Sequence, residues 1–187
     1  IVLLFIFRFY HALEKQIYTE RTAYLEEITA QIVSSTNTIS SEQWYFSDIF
    51  ANHLLNEKIK EVVDLSAYIA QEQAAFSQSG LTLLVFDQDG RYYDAEGNQA
   101  KWAGSIAMIS DEAPENQVEI TTLPTSEKSD DEMVFMKRMP QSVSLEDGIV
   151  LTHVAVVRNM SLFSETFRVP SFNGKGESYI ISNEGTG

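Results

Sequence analysis

Ile149-Val150-Leu151-Thr152-His153-Val154-Ala155-Val156-Val157-Arg158 is the stretch on which the fold turns. Successive side chains of a strand point to opposite faces. Here both sets are largely apolar, with Ile149, Leu151, Ala155 and Val157 against Val150, Val154 and Val156. A strand of this kind is covered on both sides and belongs at the centre of a sheet. Upstream, residues 81–86 form a β-rich run, Asp87-Gln88-Asp89-Gly90 a turn and Arg91-Tyr92-Tyr93 the return, which together make a hairpin. Glu96-Gly97-Asn98 is a second turn, and residues 118–122 and 132–139 are further strand candidates. The loop over 125–131 is polar and charged.

The first part of the chain has a different character. All nine glycines lie at or after Gly80 and all four prolines at or after Pro114. A segment of that length without either breaker is expected to be helical. Leu13, Ile17, Tyr24, Leu25, Ile28 and Ile32 recur at helical spacing, which predicts a helix over 12–33. The run Ser34-Ser35-Thr36-Asn37-Thr38 is expected to interrupt it, because these side chains compete for backbone hydrogen bonds. Ser40 and Gln43 have the spacing of a capping box, so a second helix is expected from Ser40, carrying Trp44, Ile49, Phe50, Leu54 and Leu55. A third is expected over 57–77, with Ile59, Val62, Val63, Ile69, Ala70 and Phe76 on one side and Gly80 as its C-cap. Helices followed by strands predict an α+β fold.

Composition narrows the function. Thirteen basic residues against 27 acidic ones give a net charge of −14, which disfavours a nucleic-acid partner. The absence of cysteine removes disulfides, thiolate zinc sites and thiol catalysis. Between Asp111 and Asp147 stand ten acidic and three basic residues, best read as a solvated loop face, with a cation site as the sharper alternative. Seven apolar residues, Ile1 to Phe7, precede Arg8, Phe9 and Tyr10. They suit the last two turns of a membrane helix and its interfacial belt; a buried strand or a signal-peptide core are the alternatives. The chain opens on Ile1 rather than Met and stops in the turn Asn183-Glu184-Gly185, so a piece of a longer product is expected.

No catalytic motif is present. His11, His53 and His153 have no metal-ligand spacing, and no nucleophile elbow, phosphate loop or zinc-protease signature occurs. Asp87-Gln88-Asp89-Gly90 resembles a calcium loop, but Val85 stands where such a loop needs an oxygen ligand. No catalytic residue, metal ligand or cofactor is therefore assigned, and the segment is not expected to be an enzyme. A small-molecule pocket has better support. Tyr92, Tyr93, Trp102, Arg138, His153 and Arg158 fall on or beside the strands of one expected sheet, and aromatics with a few polar groups are the usual lining of such a site. The alternatives are that Trp102 and one tyrosine fill the core and that His153 is a hydrogen-bonded core residue.

The order of these parts carries a resemblance. A membrane exit, a long helix, further helices and a hairpin with an acid-glycine turn lead to strand 149–158 and Met160-Ser161-Leu162-Phe163. A short helix over 161–167 and a glycine-rich loop then lead to Tyr179-Ile180-Ile181-Ser182-Asn183-Glu184-Gly185, which echoes Val85 to Gly90. The whole resembles the double Cache (PAS-like, PDC) extracytoplasmic sensor domains of bacterial receptors. That resemblance implies a membrane-distal PAS-like module with its sheet over 80–160, helices over 12–79, the end of a transmembrane helix over 1–11, and a truncated second module begun within 161–187. It also implies a receptor with a histidine kinase or diguanylate cyclase output. A homodimer through the N-terminal helix, an unknown small-molecule ligand and exposure of 12–187 outside the cytoplasm are expected. Amino-acid-binding members carry Arg-x-Trp-Tyr near the position of Lys101-Trp102; the Arg and Tyr are missing here, which argues against a free amino acid. The rival from another class is a membrane-anchored dimerisation or docking module working through the apolar helix stripe.

Overall fold

A computed structural model of the chain describes residues 2–76, 80–102, 114–121 and 132–160. They form an α+β fold: helix α1 (Val2–Asn56), helix α2 (Val62–Ala75) and strands β1 (Thr82–Asp87), β2 (Arg91–Tyr93), β3 (Gln99–Lys101), β4 (Asn116–Thr121), β5 (Glu132–Ser144) and β6 (Val150–Asn159). The described residues fall into two compact units, one ending at Ile39 and the other starting at Ser40.

In the first unit the expected break at 34–38 does not occur, and α1 continues through it. The reason lies in the hydroxyls. Thr36 Oγ1 donates to the Ile32 carbonyl at 2.8 Å and Thr38 Oγ1 to that of Ser34 at 2.9 Å. Thr19, Thr22 and Thr29 do the same one turn back. Bonded this way, the hydroxyl leaves the helical turn in place instead of replacing it. Ser40 is consequently inside a helix rather than at an N-cap. Large apolar side chains are exposed along this part, among them Phe5, Phe7, Phe9, Tyr10, Leu13 and Ile17. Among the described residues, no helix is long and apolar enough to cross a membrane.

The second unit holds the core. From Ser40 onward, α1 buries Gln43, Ser47, Phe50, Ala51 and Leu54, a stripe of helical period. The true break follows Asn56, and α2 begins after Glu61, whose backbone N–H donates to Asp64 Oδ2 at 3.3 Å. α2 buries Leu65, Tyr68 and Ile69, whereas Val63, expected on the same side as Ile69, is 75% exposed. Phe50 and Tyr68 stack at 6.1 Å between the helices. The helix ends at Ala75 with Phe76 as its cap residue, so Gly80, at φ +57, serves the approach to β1 rather than the helix end.

The six strands make one antiparallel sheet in the order β3-β2-β1-β6-β5-β4. β6 lies between β1 and β5, as its two apolar faces require, and Leu151 and residues 153–157 are buried. β3 was not foreseen, because Gln99-Ala100-Lys101 has no apolar pattern; it forms by pairing with β2 at the sheet edge. Residues directly opposite in an antiparallel ladder share a face. One face therefore carries Leu83, Val85, Phe135, Val154 and Val156, and the other Leu84, Phe86, Tyr92, Met136 and Ala155. α1 meets the first, with Trp44 edge-on to Phe135 at 5.3 Å. The second is an aromatic-rich cluster completed by Trp102, Val134 and Val157. The helix expected over 161–167 and the strand over 177–182 lie outside the described residues.

Candidate functional site

Two turns shape the hairpin end of the sheet. Asp87 Oδ1 accepts the backbone N–H of Asp89 at 2.8 Å and of Arg91 at 2.9 Å, and Oδ2 accepts from Tyr93 Oη at 2.9 Å. Gly90 supplies the positive φ of 75° that closes the turn. Seven residues on, the same device recurs. Asp94 Oδ1 accepts from the N–H groups of Glu96 and Asn98, with Gly97 at φ +81. Both aspartates are buried and committed to their own turns. The sequence 87–90 thus forms a turn, as expected. Among the described residues, no group of three His, Asp or Glu side chains is placed to hold a metal ion.

Tyr92, on β2, starts a rung that crosses the sheet. It faces Ala100 on one side and Phe86 on the other; Phe86 faces His153, and His153 faces Arg138. Four of the six residues singled out in the sequence therefore share one face, since Trp102 packs edge-on against Phe86 (5.3 Å, 83°) and Tyr92 (6.4 Å, 88°). This rung is the last regular one. Beyond it Asp87 and Val143 both face Leu151, so Thr152 drops out of both ladders. His153 Nδ1 lies 2.9 Å from Thr152 Oγ1 at that irregularity. Such interruptions re-aim side chains and are common beside binding sites.

Polar atoms are out of balance on this face. Tyr92 is fully buried and Trp102 is 6% exposed, yet Tyr92 Oη and Trp102 Nε1 have no hydrogen-bond partner among the described residues. A buried polar atom left in this state costs about 1–3 kcal/mol. The apolar floor beneath them is Phe86, Leu84 and Met136.

Tyr93 and Arg158 stand on the opposite face, toward α1, and do not join the rung. Tyr93 serves the Asp87 turn; burial, and then the hydrogen bond to Asp87, push its hydroxyl up to about 12. Arg158 Nε donates to Gln43 Oε1 at 3.0 Å, tying β6 to α1. Burial pulls this guanidinium below its ordinary value, with the charge of Glu42 opposing. Lys137, which the sequence did not single out, makes a parallel link: its ammonium pairs with Asp48 on α1 and, at 3.4 Å, with Glu115. Burial lowers the Lys137 ammonium, but hydrogen bonding and attraction from Asp48, then Glu115, raise it on balance. Strand alternation was the signal available, since Lys137 and Arg138 are neighbours and must face opposite ways.

Comparison with protein-family models, curated proteins and solved structures gives no match to this chain.

Proposed function

We propose that this chain is the ligand-sensing region of a membrane-anchored signalling receptor of the double Cache type, and that a small molecule binds on the aromatic face of its sheet. The observation that carries the reading is the pair Tyr92 Oη and Trp102 Nε1, two buried polar atoms on an apolar floor that lack a partner among the described residues. Buried polar groups in folded proteins are almost always satisfied, so this deficit supports the reading that another molecule completes the face. An antiparallel sheet with a long N-terminal helix against its other face agrees with the PAS-like arrangement that the sequence resemblance implies.

Signalling in this reading runs through α1. The strands that bear His153 and Arg138 on one face hold α1 on the other, through Arg158 to Gln43 and Lys137 to Asp48. A ligand that prefers one arrangement of β5 and β6 biases the helix, and only differential affinity for two arrangements drives that shift. Phe5, Ile6, Phe7, Phe9 and Tyr10, each more than half exposed, form a broad apolar arc on the helix, which suits lipid contact. In this reading α1 also pairs with its twin in a dimer, residues 12–187 lie outside the cytoplasm, and a kinase or cyclase output resides elsewhere in the protein; the segment itself does no chemistry.

A thermal-shift screen of small molecules on the chain tests the proposal. A compound that raises Tm for the parent and for Arg158→Ala but not for Trp102→Phe is the expected result. Stabilisation that survives Trp102→Phe unchanged, or a screen without any stabilising compound, overturns the assignment in favour of a docking module.

A further inference from the structure

We infer that the molecule held on the aromatic face is uncharged and planar, and accepts a hydrogen bond through a carbonyl-type oxygen. This rests on the ligand-binding reading above and adds the chemistry of the ligand. An indole N–H donates and cannot accept, so whatever completes Trp102 Nε1 must bring an acceptor. The Tyr92 hydroxyl can donate to the same group or accept from a neighbouring N–H of the ligand. An ammonium, with donors only, would set donor against donor at Trp102.

An anion fits no better. Among the described residues, the cation nearest in sequence to Trp102 is Lys101, which is exposed and lies opposite Arg91, off the face that carries Tyr92. Arg138 shares the rung with Tyr92, but β1 and β6 stand between their strands. At about 4.8 Å per strand their backbones are roughly 14 Å apart. A carboxylate seated at Trp102 would be desolvated with no cation beside it among the described residues, which is costly. The chain's net charge of −14 also repels anions on approach. A neutral acceptor escapes both penalties. The floor then selects shape: Phe86 and Tyr92 offer rings and Met136 a polarisable thioether, surfaces that favour a flat, ring-bearing molecule.

The chain contains two tryptophans, so isotope labelling of tryptophan yields two indole N–H signals, which Trp102→Phe or Trp44→Phe assigns. Benzamide, benzoate and benzylammonium share one ring and differ in carrying a neutral carbonyl, an anion or a cation. Titrated into the full chain, benzamide is expected to move the Trp102 N–H signal downfield and saturably, with a weaker response in Tyr92→Phe and no matching response from the two ions. A larger or equal response to benzoate or benzylammonium overturns the ligand class while leaving the site in place. Silence of the Trp102 signal toward all three removes the site and the ligand-binding reading with it.

Discussion

Tyr92→Phe should make the ligand-free protein more stable. The side chain is fully buried, and its hydroxyl has no hydrogen-bond partner among the described residues. Leaving such a group unmade costs about 1–3 kcal/mol, and replacing the hydroxyl by hydrogen removes that cost. The deletion opens a void of roughly 10–15 Å³, which at about 24 cal/mol per Å³ costs about 0.3 kcal/mol. The ring keeps its contacts with Phe86 and Trp102, so nothing else changes. The net is a gain of about 1 kcal/mol or more, or an increase in Tm of about 3–5 °C for a unit of this size. Urea unfolding of protein refolded from denaturant, so that no co-purified molecule occupies the site, measures it as a higher midpoint at constant slope. Ordinary buried tyrosines lose stability when the hydroxyl is removed. A loss of 1 kcal/mol or more here would mean that Tyr92 Oη is already satisfied, and the argument for a site completed by a ligand would fall.

Other consequences are open to direct measurement. Tyr93 has its hydroxyl raised from 10 to about 12, which means that the folded state favours the neutral form. The stability from this group is complete below pH 10 and is lost as pH rises through 12. Tyr68, raised by burial and by Glu72 and Glu57, and Lys137, raised by Asp48, act in the same direction. Tyr93→Phe should flatten part of the fall in stability seen by alkaline denaturation followed through tyrosinate absorbance. Asp94→Ala deprives three donors of their acceptor and should cost about 2–3 kcal/mol, whereas Asp94→Asn keeps an oxygen for the two backbone N–H groups and should cost under half of that, by chemical denaturation. Asp48→Ala should destabilise more than Lys137→Met: the first leaves a mostly buried ammonium with only Glu115, while the second removes that ammonium and leaves Asp48 half in water. An expected gap of about 1 kcal/mol between them would show in paired melts, and the reverse order would refute the assignment of the buried partner.

Much of the sheet was legible in the sequence because β1, β2, β5 and β6 carry apolar, β-branched or aromatic runs, with the Asp89-Gly90 turn between the first two, and β6 in particular announces its central place. β3 was not, since a three-residue edge strand of Gln, Ala and Lys is specified by its partner β2 and not by its own side chains. The continuity of α1 was hidden for a different reason. Ser and Thr read as breakers when their hydroxyls compete for local backbone, and as neutral when they bond one turn back; the letters are the same in both cases. The six candidate site residues show the same limit. Period-two alternation alone places Tyr92 and Tyr93 on opposite faces, but assigning Arg158 to the helix side needs the register between β5 and β6, which the sequence does not print. The unpartnered atoms on Tyr92 and Trp102 depend on everything around them and lie beyond any pattern.

The place of β1 beside β6 has a consequence for how the chain comes to be folded. Leu84 pairs with Ala155, so the central ladder joins segments roughly seventy residues apart, a long-range closure of the kind that slows folding. During synthesis β1, β2 and β3 can emerge and pair locally, but the edge of β1 that β6 will occupy stays open until the end of the sheet has left the ribosome. Until then a row of unpaired backbone groups flanked by Leu83, Leu84 and Val85 is exposed to other strands. Variants that slow the arrival or weaken the pairing of β6 should therefore show themselves first as lost yield and aggregation in cells, before any change in the behaviour of the finished protein.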